Sequence, residues 1–475
     1  MSKPSIWSSD RKSPPRPSGD GDRRTPFEQD FDRLLFSTPV RRLADKTQVF
    51  PLEKNDSVRT RLTHSHEVSN LARSLGTRIL RTNRSCFGDD PTVQESVPVI
   101  LATVGLAHDL GNPPFGHQGE AAIGKWFARC TPLFDAPGEV VPAAEFTPVA
   151  SDQRGDFLKF EGNAQTLRLL VRLQNTSGPS GLNLTAGTLA ALMKYTVPSH
   201  RTAKGNAATK KFGYFASEGD VVDWIREKTG LAAGQRHPLT WLMEASDDAA
   251  YSILDVEDAI KKDLVSPEDL RAFIRSKFYE TTEGGGLVNQ LEQDFKKADE
   301  TIADLTRIKE IKASYLRTRL VERVLTGAAE EFLKDREAIF SYQRTAPLLE
   351  CRSFASEVTA ALKEFARTHA YNSPDVLRVE LQGARVISGL MDLMWDAIAS
   401  REVFAKLNSR RTSPQAAFVY SKISDSYRWH FEQASGASGL PIRYREMQLL
   451  TDMISGMTDR FAVELHAELT SATHG

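Results

Sequence analysis

At 475 residues the chain exceeds one typical domain, and its 61 Lys plus Arg against 62 Asp plus Glu leave a formal net charge of −1, so no global basic field marks it for nucleic acid or a membrane surface. Cys86, Cys130 and Cys351 are odd in number and widely spaced, which excludes a disulfide framework and a Cys-x-x-Cys zinc site and fits a reducing compartment. No apolar run reaches membrane-spanning length and no apolar segment marks a signal peptide, so the cytoplasm is the expected location, with no membrane partner.

Residues 1–25 are rich in Ser, Pro, Arg, Asp and Gly and offer little to bury, so a disordered tail is expected, made basic by Arg11, Lys12, Arg16, Arg23 and Arg24. Order begins near Phe27. After Asn55 the chain enters a helix in which two histidines compete for an inward role. His64 falls in phase with Val68, Leu71, Leu75 and Ile79, whereas His66 falls in phase with Asn70, Arg73, Thr77 and Arg81. His64 is therefore expected at the core and His66 in water. Arg59 and Arg61 precede this helix, where an arginine fork can reach phosphate oxygens; Arg59 is assigned to solvent.

The next helix carries Val97, Leu101, Val104 and His108 at i, i+4, i+7 and i+11, which delivers His108 and Asp109 together to its buried end. Gly111, Pro113, Pro114 and Gly116 break that helix into a loop before His117 and Glu120 start another. A lone His-Asp pair is often just a hydrogen-bonded helix terminus. Here four of the ten histidines (His64, His66, His108 and His117) crowd into the span 64–117, which favours a site.

Residues 131–156 are Pro-rich and aperiodic, as a lid or insertion would be. A helix resumes at Phe160 and includes Asn163. Another ends at Lys194-Tyr195, a cation and a phenol that suit a phosphate and a sugar, although a bare dipeptide is a weak signal. Residues 199–213 read as a mobile loop. In the helix from Leu239, the residues Asp247, Tyr251 and Asp255 form one column at i, i+4 and i+8, bordered by Met243 and Leu254, while Asp248 turns away. Asp247 is thus the preferred inward carboxylate. Further along, Glu380 lies in phase with Ala384, Ile387, Met391 and Met394, on a face that should be dry, and a buried acid needs a partner. A final helix places Ile454, Met457, Phe461 and Leu465 on one side. There is no internal repeat, P-loop or dinucleotide-binding glycine fingerprint.

His64, His108, Asp109 and Asp247 make a mixed nitrogen and oxygen set suited to Mn, Fe, Zn or Mg, with open positions for water and substrate. The order H…HD…D, with the phrases Arg59-Thr-Arg-Leu-Thr-His-Ser, Ala107-His-Asp-Leu-Gly-Asn-Pro-Pro-Phe-Gly-His-Gln-Gly-Glu, Phe160-Glu-Gly-Asn-Ala-Gln and Glu380-Leu-Gln-Gly-Ala-Arg, resembles the deoxyguanosine triphosphate triphosphohydrolase branch of the HD phosphohydrolase superfamily.

That resemblance implies an all-α fold: an HD-domain core over 26–275 and a C-terminal helical region over 276–475 that contributes to the substrate pocket and oligomer contacts. It implies one divalent ion per subunit on His64, His108, Asp109 and Asp247, either Mn²⁺, Mg²⁺ or Fe²⁺, with Zn²⁺ as a further option. His117 and Glu120 would carry proton transfer, Arg61 and Lys194 would hold phosphates, and Tyr251 and Asp255 would contact the deoxyribose. Asn163, Tyr195 and Glu380 would lie near the sugar or base. The implied activity is hydrolysis of dGTP or another dNTP to deoxynucleoside and triphosphate, in a homo-oligomer for which a hexamer is favoured. The alternatives are an effector-controlled or single-stranded nucleic-acid-binding HD protein with low basal activity, in which nucleic acid or an allosteric nucleotide is a partner, and another HD nuclease or nucleotidase. One departure stands out, because His66 occupies a position that is commonly leucine in the family.

Overall fold

The computed structural model describes residues 3–14, 23–53, 55–136, 146–174, 180–371, 374–433 and 439–473. Twenty α-helices run through them, and the only β pairing among the described residues is three isolated bridges, so the expected all-α class is the observed one. Among the described residues no helix is long and apolar enough to cross a membrane. Two compact units interleave along the sequence: Met1–Leu52, Leu106–His237 and Val379–Gly475 form the first, and Glu53–Gly105 with Pro238–Arg378 form the second. The expected division at 275/276 falls inside the second unit.

The second unit is built on the helix Pro238–Lys261, which packs against Arg61–Thr82, Leu305–Lys334 and Phe354–Ala366. A helix touched by three others is buried nearly all round, and here Asp247, Asp248, Tyr251 and the terminal Lys261 alone escape full burial. Arg61–Thr82 behaves differently. Thr60 and Thr63 cap its N-terminus reciprocally, and one stripe containing His64, Val68, Ala72, Leu75 and Ile79 is buried, while His66 is exposed. Arg59 is a correction to the expected solvent position: its guanidinium is buried against Glu67 at 2.8 Å, Asp258 at 2.6 Å and Glu257 at 2.5 Å. The last turns of the central helix bring two buried carboxylates to one place, and such a pair requires a cation.

In the first unit, Gly116–Arg129 packs on Gly155–Leu158, Ala186–Leu192 on Gly219–Thr229, and Ile442–Gly456 on Asp425–Gln433 and Gly162–Arg168. Arg168 bridges the interior of this unit, reaching Asp452 at 2.7 Å and Glu218 at 2.8 Å. Part of the expected disordered tail is held in place: Arg11 meets the buried Asp30 at 2.6 Å, and Ser13 N–H donates to Asn183 Oδ1 at 3.1 Å. A buried carboxylate recruits the arginine, so residues 3–14 are not simply solvated, while the tail's 15–22 lie outside the described residues. The centre of the expected lid, 137–145, also lies outside them. The stretch 199–213 is tied down by Thr196 N–H to Ala208 O and Gly213 N–H to Val197 O, each at 3.0 Å, and by the buried Phe212. The expected single terminal helix breaks after Gly456 and resumes at Asp459, which leaves Phe461 exposed while Ile454, Met457 and Leu465 stay buried.

Candidate active site

His64 and Asp247 meet within the second unit. The imidazole Nε2 lies 3.3 Å from Asp247 Oδ1, with His64 almost fully buried and the carboxylate about one quarter exposed. Asp248, one residue on, turns to Lys363 at 2.6 Å instead. The two aspartates thus take different partners, yet they are equally exposed, 24 % for Asp247 and 23 % for Asp248, so burial does not separate an inward carboxylate from an outward one.

His108 and Asp109 follow directly on the helix Pro91–Ala107 and belong to the first unit, with Nε2 and Oδ1 3.5 Å apart. Val97, Leu101 and Val104 are buried as expected, but so are Ile100, Thr103 and Leu106. Periodicity alone could not have oriented His108 on such a helix. The side chain that steadies Asp109 is Asn112, whose Nδ2 donates to Oδ1 at 2.7 Å, and the Asn112 carbonyl accepts from the buried Lys46 ammonium at 2.6 Å. Gly111 makes the turn feasible, because a Cβ there would stand 2.2 Å from Thr166 N. Sequence reading missed both Asn112 and Lys46, although Asn112 stood inside the quoted phrase. His64, His108 and Asp109 are donors of the kind that could hold a metal ion. Two imidazoles and a carboxylate fit a divalent ion in chemistry.

The helix Gly116–Arg129 presents His117 to solvent, its side chain 83 % exposed, and holds Nδ1 2.9 Å from Glu120 Oε2. Glu120 Oε1 accepts from Gly162 N–H at 2.8 Å. Burial works against the charge of Glu120, yet the hydrogen bond and charge of His117, with Lys211 and Gly162 N–H, hold its pKa below the ordinary value. The pair lines a cavity of about 900 Å³ in the first unit, whose walls carry Lys125, Lys159, Lys204, Lys210 and Lys211. Asn163 does not stand alone: its Nδ2 donates to Glu161 Oε1 at 2.7 Å. Lys194 is half-buried and Tyr195 buried beyond the helix Ala186–Leu192.

Glu380 departs from the dry face expected of it. It is half-exposed near the start of the helix Pro374–Ala399, where Leu381 is also exposed, and the burial of Ile387, Met391 and Met394 begins two turns later. Partial burial pushes its carboxyl up, and a hydrogen bond with Gln118 opposes that shift.

In the second unit Arg61 is buried at the first position of its helix. Asp255 is fully buried and accepts the Tyr371 hydroxyl at 2.7 Å, while the rings of Tyr251 and Tyr371 stack with centroids 5.9 Å apart. Burial drives the Asp255 carboxyl well above its usual range. Of the three, Tyr251 and Tyr371 keep partial exposure, while Asp255 has none. Neither Tyr371 nor Lys363 was anticipated, because each lies more than a hundred residues from its acid and carries no periodic signal.

No family model matches the chain. It is 35% identical over 455 residues to the deoxyguanosinetriphosphate triphosphohydrolase-like protein of Listeria monocytogenes, covering 94% of each chain. It is 33% identical over 503 aligned residues to the deoxyguanosinetriphosphate triphosphohydrolase of Klebsiella pneumoniae, covering 98% of this chain and 97% of that one. To the deoxyguanosinetriphosphate triphosphohydrolase of Serratia proteamaculans it is 34% identical over 486 residues, with 94% of each covered.

Proposed function

Since this chain belongs to the deoxyguanosinetriphosphate triphosphohydrolase family, to which it is related over 94% or more of its length, it is a hydrolase acting on deoxynucleoside triphosphates, and we propose that it releases deoxynucleoside and intact inorganic triphosphate. The observation that carries this reading is the His117–Glu120 pair, a carboxylate-oriented imidazole exposed on a cavity lined by lysines.

In this reading Arg61 and Lys194 hold the triphosphate, where charge-assisted hydrogen bonds offset its several negative charges. Tyr251 packs on the deoxyribose and fills the space of a 2′-hydroxyl, and Asp255 acts on the sugar side through the Tyr371 hydroxyl. Asn163, Tyr195 and Glu380 line the approach to sugar and base. Attack of water at the α-phosphorus, in line with the 5′-oxygen, leaves that oxygen in need of a proton, and His117, oriented by Glu120, carries the transfer. His64, His108, Asp109 and Asp247 would hold one divalent ion per subunit, Mn²⁺, Mg²⁺ or Fe²⁺, with Zn²⁺ as a further option. Once bound, the ion supplies positive charge that polarises a phosphoryl oxygen and acidifies water.

The reading places the protein with the dNTP pool in the cytoplasm, as a closed homo-oligomer of six copies. Lys125, Lys159, Lys204 and Lys210 on the cavity wall favour a polyanion such as single-stranded nucleic acid as a second ligand. Chromatography of products from each of the four dNTPs, with and without Mn²⁺, tests the reaction. Triphosphate and deoxynucleoside are the expected products, with solvent ¹⁸O in the triphosphate. Release of dNMP and pyrophosphate would rule the reaction out.

A further inference from the structure

Two carboxylates lie close together behind His117. Glu120 holds the imidazole, and its side chain is 10 % exposed; Glu161, near enough to feel the Glu120 charge, is 4 % exposed. Both are largely buried, and like charges held this close compete for one proton unless a cation intervenes. The cation is Lys211, whose Nζ lies 2.6 Å from Glu161 Oε2, while Asn163 occupies the other Glu161 oxygen. Burial opposes the Lys211 charge, yet Glu161 and Glu120 together hold the ammonium above its ordinary pKa. Burial and the Glu120 charge push Glu161 up, against Lys211 and Asn163.

The packing of the next two residues fixes the backbone at Lys211, whose side chain is 45 % exposed. Phe212 beside it is buried, and Gly213 passes so close to Tyr195 that a Cβ would stand 1.7 Å from the carbonyl oxygen. The other titratable groups around the pair are His117 and Lys125 on the helix Gly116–Arg129, Lys159 before the turn, Lys204 and Lys210 on the same segment, and Tyr195.

We infer that Lys211 is a positioning residue for the proposed reaction: by neutralising Glu161 it keeps the neighbouring Glu120 ionised, and so preserves the carboxylate that orients His117. The inference rests on the proton-transfer role given to His117 above. Lys211 touches no reacting atom in this scheme; it acts through two acids.

The test is the pH dependence of kcat and KM in the full-length, metal-loaded protein for Lys211→Met, Lys211→Gln, Lys211→Arg, Glu161→Gln and the double variant Lys211→Met/Glu161→Gln, beside His117→Ala. Without the ammonium, Glu120 and Glu161 share a proton, so Glu120 ionises later. The acidic limb of kcat should rise by about one pH unit in Lys211→Met and Lys211→Gln, with KM little changed. Lys211→Arg should keep the wild-type limb. In the double variant the competing charge is gone, and the limb should return towards the wild-type position. A merely structural role for Lys211 predicts no such rescue. If His117→Ala turns over like the wild type, the dyad reading fails and takes this inference with it. If His117→Ala is slow but both neutral Lys211 variants keep the wild-type limb, or Glu161→Gln fails to restore it, the assignment of Lys211 alone is overturned.

Discussion

Tyr371 donates its hydroxyl to Asp255 at 2.7 Å while its ring stacks on Tyr251, so a fully buried acid of the central helix in the second unit is spoken for by a tyrosine 116 residues further along the chain. Tyr371→Phe keeps the ring and removes the donor. The buried carboxyl would lose its hydrogen bond at a cost of about 1–3 kcal/mol. Urea denaturation measures this directly, and a loss below about 0.5 kcal/mol, within the range of neutral surface changes, would mean that the hydroxyl does not support Asp255.

His64 is buried and His66 exposed two residues apart on one helix. His64→Ala should therefore lose most of the bound metal, whereas His66→Ala should retain it. Elemental analysis of the two purified variants decides the matter, and equal losses would contradict the assignment of His64 as a ligand.

Arg59 serves three carboxylates, of which Glu257 and Asp258 are buried. Removing one partner of a buried ionic cluster leaves uncompensated charge. Arg59→Met should thus destabilise the protein by about 3–5 kcal/mol, although it touches none of the proposed substrate residues. A variant with unchanged denaturation midpoint would show that the cluster is solvated in solution.

His117→Ala removes the proton carrier and leaves the proposed ligand set intact. Turnover should fall on the order of 10²- to 10⁴-fold, while metal content and nucleotide binding, read by elemental analysis and calorimetry, stay near wild type. Loss of binding in step with turnover would assign His117 to ligand binding instead.

His237 is fully buried, its Nε2 3.1 Å from the Ile6 carbonyl and its ring edge-on to Trp7 with centroids 5.1 Å apart. Burial lowers its pKa to about 4, only partly opposed by the hydrogen bond to Ile6. A histidine depressed in the folded state is protonated more readily when unfolded, so stability is full above pH 6.5 and is lost as the pH falls from there towards 4. The share from this residue between pH 7 and pH 5 is roughly 2 kcal/mol. Comparing wild type with His237→Asn by urea denaturation at the two pH values isolates it. An equal pH response in both proteins would show that His237 does not couple the 3–14 segment to acid.

The sequence by itself determined the direction of His64 against His66, and it carried the family phrases whose resemblance implied the all-α class. The direction of a histidine is a property of helical phase, which depends on residues three and four apart and needs no knowledge of what lies opposite. Phase stopped being informative where a helix is buried on every side, as it is around His108 and along Pro238–Lys261, because apolar residues then occupy every direction. Phase misplaced Glu380, whose apolar stripe starts later than the pattern suggests, and Arg59, assigned to solvent as a residue ahead of the helix, is buried by two carboxylates from almost two hundred residues away. Only the tertiary structure decided which partners meet: Tyr371 with Asp255, Lys363 with Asp248, Lys211 with Glu161, and Arg168 with Asp452. A buried charge must find its counter-charge somewhere, but the chain's own order says nothing of where, since that is settled by how the helices pack and which side chains are left facing one another.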